Sequence, residues 1–148
     1  PDHAPDLALL LTGQTYGYLS PCGCSRPQKG GLERRYNYAE TLRKKGWAVV
    51  GLDLGEVAPP KGLAKQNQLK YLAAMHSLAA IGYAAVGVGE TEFQNQLFPL
   101  LAEYTLQNPG KPPVVLAGNL TGSQPGADGK PFPRAVFFGG GEKARPMA

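Results

Sequence analysis

Leu7-Ala8-Leu9-Leu10-Leu11-Thr12-Gly13-Gln14-Thr15-Tyr16-Gly17, continued by YLSPCGCSRPQKGGL from Tyr18 to Leu32, is the stretch whose reading decides the fold. The apolar run Leu7 to Leu11 reads as a buried strand, and Thr12-Gly13 ends it. A polar turn follows, then the chain's two cysteines, Cys22 and Cys24, and then Gly30-Gly31 opening a helix. In an open α/β sheet, ligands sit on loops that leave the carboxyl ends of strands. The loop from Gly13 to Gly31 is therefore the first place to seek function.

Beyond that loop, strand and helix patterns alternate. Leu32 to Lys45 sets Leu32, Tyr36, Ala39 and Leu42 at helical spacing, with Arg43-Lys44-Lys45 at the negative end of the dipole and Gly46 as a stop. Trp47 to Leu54 is a second apolar strand, ending at Gly55-Glu56. A helix over about Leu63 to Ile81 is expected to face inward through Leu69, Leu72, Ala73, His76, Ala79 and Ala80, which makes His76 a core histidine. Tyr83 to Val88 is a third strand, and Gly89-Glu90-Thr91-Glu92 reads as the turn after it.

Phe93 to Leu106 reads as one helix through Leu97, Leu100, Leu101 and Tyr104, and Val114 to Ala117 as a fourth strand closed by Gly118-Asn119. Residues 121–133 are rich in Gly, Pro and Ser and read as an exposed loop, with a short strand at Ala135 to Phe138. This alternation predicts an α/β fold with a mostly parallel sheet and right-handed βαβ crossovers. The turns at Gly13, Gly55 and Gly89 should line one edge of that sheet.

The totals agree with a single domain over residues 1–148. A chain of 148 residues can bury about two-thirds of its unfolded surface, enough for a core. Its 43% hydrophobic and 18% charged residues are ordinary for a folded domain and exclude a disordered chain. The net charge of +4 comes largely from residues between Arg26 and Lys45, which fits a solvated helix face and not a broad nucleic-acid stripe. No apolar run reaches the roughly 18 residues that span a bilayer. The start, Pro1-Asp2-His3-Ala4-Pro5, has no Met and reads as a processed or trimmed end.

The three turns carry a resemblance. LLLTGQTYGYL resembles the opening motif of the periplasmic 5'-nucleotidase branch of the calcineurin-like metallophosphoesterases, a hydrophobic strand followed by Thr-Asn-Asp-x-His-Gly. GGLERRYNYAETLR is similar to the Gly-Gly-x-x-Arg helix of that family, and VVGLDLGE to its strand ending in Asp-x-Gly-Asp. IGYAAVGVGETEF resembles Leu-Gly-Tyr-Asp-Ala followed by Gly-Asn-His-Glu-Phe-Asp, and VVLAGNL the strand after it. The resemblance implies the first half of an α/β/β/α sandwich.

In that family the first motif's Asp and His, the second motif's Asp and the third motif's Asn bind two metal ions, while the third motif's His assists at the phosphate. The matching positions here hold Gln14, Tyr16, Glu56, Glu90 and Thr91. Two-metal phosphoryl chemistry needs charged or imidazole ligands holding ions about 4 Å apart. Tyr and Thr substitute poorly for His, and Gln offers only a neutral oxygen. What the carboxylates leave open is one hard cation on the oxygens of Gln14, Glu56 and Glu90; otherwise Glu56 and Glu90 cap the segments that follow them. No catalytic residue and no resident metal are assigned.

Cys22-Gly23-Cys24 lies where the first loop of the family passes over the metal site. The pair can chelate a soft metal, close a disulfide or stay as two thiols. Cα atoms two residues apart prefer about 6–7 Å, at the limit of bridge geometry, so a disulfide here would be strained and easily reduced. A local loop staple is the plainer alternative. PCGCS with GGLxRR also resembles degenerate members of the family found with multihaem cytochromes c, although the chain has no CxxCH of its own.

Tyr16, Tyr18, Arg26, Lys29, Arg34 and Arg35 surround the cysteine loop and suit a protein partner such as a c-type cytochrome, or simply loop–helix packing. The expectation is a non-catalytic, metal-site-degenerate, 5'-nucleotidase-like domain. It would serve as an accessory or partner-binding subunit of a periplasmic redox or electron-transfer membrane complex, anchored only through partners. The alternatives are a divergent metallophosphoesterase hydrolysing a phosphate ester, and a thiol redox or soft-metal module built on Cys22 and Cys24.

Overall fold

A computed structural model describes residues 4–21, 23 and 28–117. The element order is β1 (Ala8–Thr12), α1 (Leu32–Lys44), β2 (Val49–Asp53), α2 (Ala64–Ile81), β3 (Tyr83–Gly87), α3 (Glu90–Gln94), α4 (Leu97–Gln107) and β4 (Val114–Leu116). The strands form one sheet in the order β1-β2-β3-β4, every pair parallel. The expected α/β fold is thus present. Residues 121–133 and 135–138 lie outside the described residues.

Parallel strands need a crossover between them, usually a helix, and here the helices gather into one layer. Leu32 and Ala39 of α1, Tyr71, Met75 and Leu78 of α2, and Leu100 and Tyr104 of α4 share a core with Tyr83 and Val86 of β3. Leu10, Val49 and Val115 pack against that cluster from the sheet. Residues of the opposite sheet face, Leu9 and Leu11, stay exposed.

Two local devices shape the sheet. A Cβ on Gly51 would lie 2.5 Å from the Tyr83 ring, so the missing side chain lets that ring cross β2, at the irregularity between Gly51 and Leu52. At the other end of α2, Gly82 takes a left-handed φ of 93° and stops the helix. The Arg43 guanidinium of α1 donates to the Ile81 carbonyl there, where a cation suits the helix dipole.

The helix faces depart from expectation. On α1, Leu32, Ala39 and Leu42 are buried, but Tyr36 is exposed. On α2, the buried residues are Asn67, Tyr71, Leu72, Ala74, Met75, Leu78 and Ile81, so only Leu72 of the expected stripe is fully buried. Leu69, His76, Ala79 and Ala80 face outward. The reason is volume: the stripe with Tyr71, Met75, Leu78 and Ile81 removes far more apolar area from water than one of alanines, leucine and a histidine. His76 is no core residue. Its Nε2 lies 3.4 Å from Asn108 Nδ2, and its ring is tilted against Tyr104.

The helix expected over Phe93 to Leu106 is two helices, and the Gly89–Glu92 turn is the first turn of α3. Asn95 ends α3: its Nδ2 donates to the Pro59 and Thr91 carbonyls, and its Oδ1 accepts from Asn67. Gln96 then takes a φ of 57° before α4 begins. Pro59 and Asn67 are remote in sequence, so helical periodicity does not reveal the break.

Candidate functional site

The three strand-end turns meet, as expected from the parallel order. Backbone N–H groups of Gln14, Tyr16 and Gly17 donate to the carbonyls of Gly55, Glu56 and Val57 at 2.9, 2.8 and 2.8 Å. This ladder carries the first two turns side by side beyond the sheet. The third turn closes on the second at Gly55, where a Cβ would lie 2.8 Å from the Gly89 nitrogen. Gly55 also has a φ of 103°, a region that favours glycine.

Glu92 locks this junction. Its Oε1 accepts from the backbone N–H of Val57 and of Ala58, both at 2.8 Å. Its Oε2 accepts from Gly89 at 2.8 Å and Glu56 at 3.1 Å. A carboxylate that is 1% exposed therefore satisfies four backbone donors from two turns. Motif reading passed over Glu92. Its signal was spacing: an acidic residue at the third helical position reaches back to the N-cap N–H.

The residues at the expected metal positions lie around this lock. Gln14, Tyr16 and Glu56 have φ values of 57°, 47° and 60°, so three of these five positions hold left-handed backbone. Non-glycine residues there cost about 1 kcal/mol or more each, and such residues cluster at functional sites. Gln14 and Glu90 are exposed, Tyr16 and Glu56 half-buried, and Thr91 buried. Glu56 Oε1 accepts from the Glu90 backbone N–H at 2.7 Å, while Glu90 Oε1 accepts from Gln94 at 2.7 Å. Thr91 turns its hydroxyl toward Glu92 Oε1 at 3.4 Å. Beside them Thr15 is buried, and its hydroxyl has no partner among the described residues.

A second polar cluster sits under the turns on the helix side of the sheet. Thr12 Oγ1 donates to Asp53 Oδ2 at 2.6 Å, and the Gly55 N–H donates to Asp53 Oδ1 at 3.0 Å. With that proton given to Asp53, Thr12 Oγ1 accepts from the Tyr83 hydroxyl at 2.9 Å and from Arg35 Nη1 at 3.3 Å. Arg35 also lies 3.6 Å from Asp53 Oδ2 and over the Tyr83 ring. Burial raises the Tyr83 hydroxyl above its ordinary pKa, against the opposing pull of Thr12 and Arg35. Three strands and α1 are thereby tied together.

The cysteine loop has a closed neck. The Leu32 N–H donates to the Leu19 carbonyl at 3.0 Å, and Pro21 lies so close to Gly31 that a Cβ there would meet it at 2.7 Å. Tyr18, Lys29 and Arg34 are exposed, whereas Arg35 points inward to Asp53. Cys22, Cys24 and Arg26 lie outside the described residues.

In sequence comparison this chain matches no family model and no curated protein. The two-ion centre that the resemblance implies can still be tested on the donors present. They are a neutral amide, a phenol, a buried hydroxyl directed at Glu92, and two carboxylates each with an oxygen already bonded within the fold. Among the described residues no three of His, Cys, Asp or Glu gather as a metal group. This donor set does not fit a pair of catalytic ions. Nor does any helix among the described residues have the length and apolarity to cross a membrane.

Proposed function

We propose that this chain is a non-catalytic relative of the 5'-nucleotidase branch of the metallophosphoesterases, working as an accessory, partner-binding subunit of a periplasmic redox membrane complex. One observation carries the reading. At the strand ends where phosphoryl chemistry needs free ligands, Glu56 and Glu90 bond to neighbours in the turn cluster and Glu92 closes the cluster on four N–H groups. The cluster is built as a structural clasp, and a clasp positions the loop that leaves it.

That loop, from Gln14 to Lys29, is the proposed contact surface, with Tyr18 and Lys29 exposed, Tyr16 half-buried, and Cys22 and Cys24 between Tyr18 and Lys29 in sequence. Exposed Tyr18 offers rigid aromatic area of the type enriched at interfaces, and the basic residues suit an acidic partner such as a c-type cytochrome.

Two measurements test the proposal. The purified chain, dialysed against Mn²⁺ or Zn²⁺, should retain less than one ion per chain at the strand ends and hydrolyse neither a nucleotide nor a phosphodiester. In an NMR titration with a multihaem cytochrome c, shifts should concentrate between Gln14 and Lys29. Two bound ions with turnover would replace this reading with that of a divergent phosphoesterase. Shifts confined to other surfaces would remove the loop from the interface.

A further inference from the structure

The loop proposed as the contact surface leaves β1 after Thr12 and rejoins the fold at α1, and one polar network holds both of its ends. Arg35, in the first turn of α1, donates through Nη1 to Thr12 Oγ1 at 3.3 Å, across 23 residues of sequence. Both are held to Asp53 of β2, Thr12 by a bond of 2.6 Å and the Arg35 guanidinium at 3.6 Å. The Tyr83 hydroxyl of β3 adds a fourth group at 2.9 Å from Thr12 Oγ1. A second tie joins the same two stems, the Leu32 N–H donating to the Leu19 carbonyl at 3.0 Å.

Stability alone does not account for this network. The Asp53 side chain is fully buried and that of Arg35 is 23% exposed. Replacing such a pair by well-packed apolar groups is often neutral or stabilising. Gly51 also leaves its place in mid-strand without a side chain, which lets the Tyr83 ring cross β2, although glycine inside a strand weakens it. What the arrangement supplies is fixed geometry, of the kind that supporting hydrogen bonds give to a site. Of the four groups, Thr12 and Arg35 stand at the two ends of the loop, and the bond between them ties those ends directly.

We propose that Arg35 is a positioning residue, which through Thr12 and Asp53 fixes the two stems of the partner-binding loop without touching the partner. This rests on the partner-binding reading above. It divides the cations around the loop by role: Lys29 and Arg34 are exposed and face the partner, while Arg35 turns inward and holds the surface in shape.

Amide hydrogen exchange of the unaltered chain, Arg35→Gln and Thr12→Val is the first arm of the test. In both variants the Leu32 amide should exchange about tenfold faster or more relative to the Tyr71 and Met75 amides of α2, because a tie between the stems is lost. Thr12→Ser keeps the hydroxyl and should restore slow exchange. Circular dichroism checks each fold, and Thr12→Val retains the contact of Arg35 with Asp53, so it carries this arm should Arg35→Gln unfold. Binding kinetics with a multihaem cytochrome c form the second arm. Arg35→Gln should speed dissociation about tenfold and leave the salt dependence of association unchanged, whereas Lys29→Gln should slow association and flatten that dependence. Equal acceleration at Leu32 and in α2, an unaltered Leu32, or a salt dependence flattened by Arg35→Gln would each overturn the proposal. Failure of the unaltered chain to bind the cytochrome would remove the partner reading alone, since exchange at Leu32 decides by itself whether Arg35 fixes the stems.

Discussion

Glu56 Oε1 lies 2.7 Å from the backbone nitrogen of Glu90, so one acidic residue of the turn cluster caps the helix that begins with the other. The two carboxylates are thus not a free pair at the strand ends. Glu56→Ala should remove the cap and lower stability by about 1 kcal/mol, whereas Glu56→Gln keeps an acceptor oxygen and should lose less. Urea unfolding of both variants measures this. Equal losses would mean that the charge, and not the cap, is what matters.

Glu92 should be far less replaceable. Removing its carboxylate leaves the N–H groups of Gly89, Glu56, Val57 and Ala58 without their acceptor in a buried junction. Hydrogen bonds to a charged group contribute more than neutral ones, so Glu92→Ala is expected to cost about 3 kcal/mol or more. Hydrogen exchange should localise the damage, with Val57 and Ala58 losing protection before the amides of α2. A loss as small as a surface mutation's would show that water replaces the carboxylate.

The strained backbone at the first turn allows the opposite experiment. Gln14 has a φ of 57°, an exposed side chain, and no side-chain hydrogen bond among the described residues. Gln14→Gly should relieve the left-handed conformation and raise stability by about 0.5 kcal/mol, after the greater freedom of glycine in the unfolded chain is counted. Destabilisation instead would reveal a structural contact of the amide.

How much of this was legible in the residues depends on whether the information was local. β1 and β3 are apolar runs ended by glycine, β2 is one interrupted by Gly51 and Asp53, and all three were readable, as was the meeting of the Gly13, Gly55 and Gly89 turns that follows from parallel order. The inward face of α2 was not. AKQNQLKYLAAMHSLAAI is apolar over more than one stripe, and only the volume of Tyr71, Met75 and Ile81 against the sheet selects between them. The break at Asn95 and the inward turn of Arg35 depend on Pro59, Asn67 and Asp53, far along the chain. Resemblance pointed to Gln14, Tyr16 and Glu56, and left-handed backbone is what those positions share.

That choice of stripe is itself testable. Met75 is fully buried, so Met75→Ala should cost about 2–4 kcal/mol through lost burial and a residual cavity. His76, one residue on, faces outward, and His76→Ala should stay within about 0.5 kcal/mol. Thermal unfolding of the two variants compares them directly, and a reversed order would return the histidine to the core.

Alkaline pH should act on the fold through its buried tyrosines. Tyr71 is held above the ordinary value of 10.0 first by burial and then by the negative charge of Glu92 and by Tyr104. Tyr83 and Tyr104 are raised chiefly by burial. In each case the folded chain holds the hydroxyl proton more tightly than the unfolded chain. Below the unfolded pKa both states keep the proton and the stabilisation is fully present. As pH rises past 10.0 the unfolded chain ionises first, and stability falls until the folded pKa is passed. Urea unfolding from about pH 8 to about pH 11 should show that decline, with phenolate absorbance appearing as the fold is lost. Tyr83→Phe removes one of the three groups and should make the decline shallower. A stability that stays level across this range would mean that these hydroxyls ionise as readily in the folded chain as in the unfolded one.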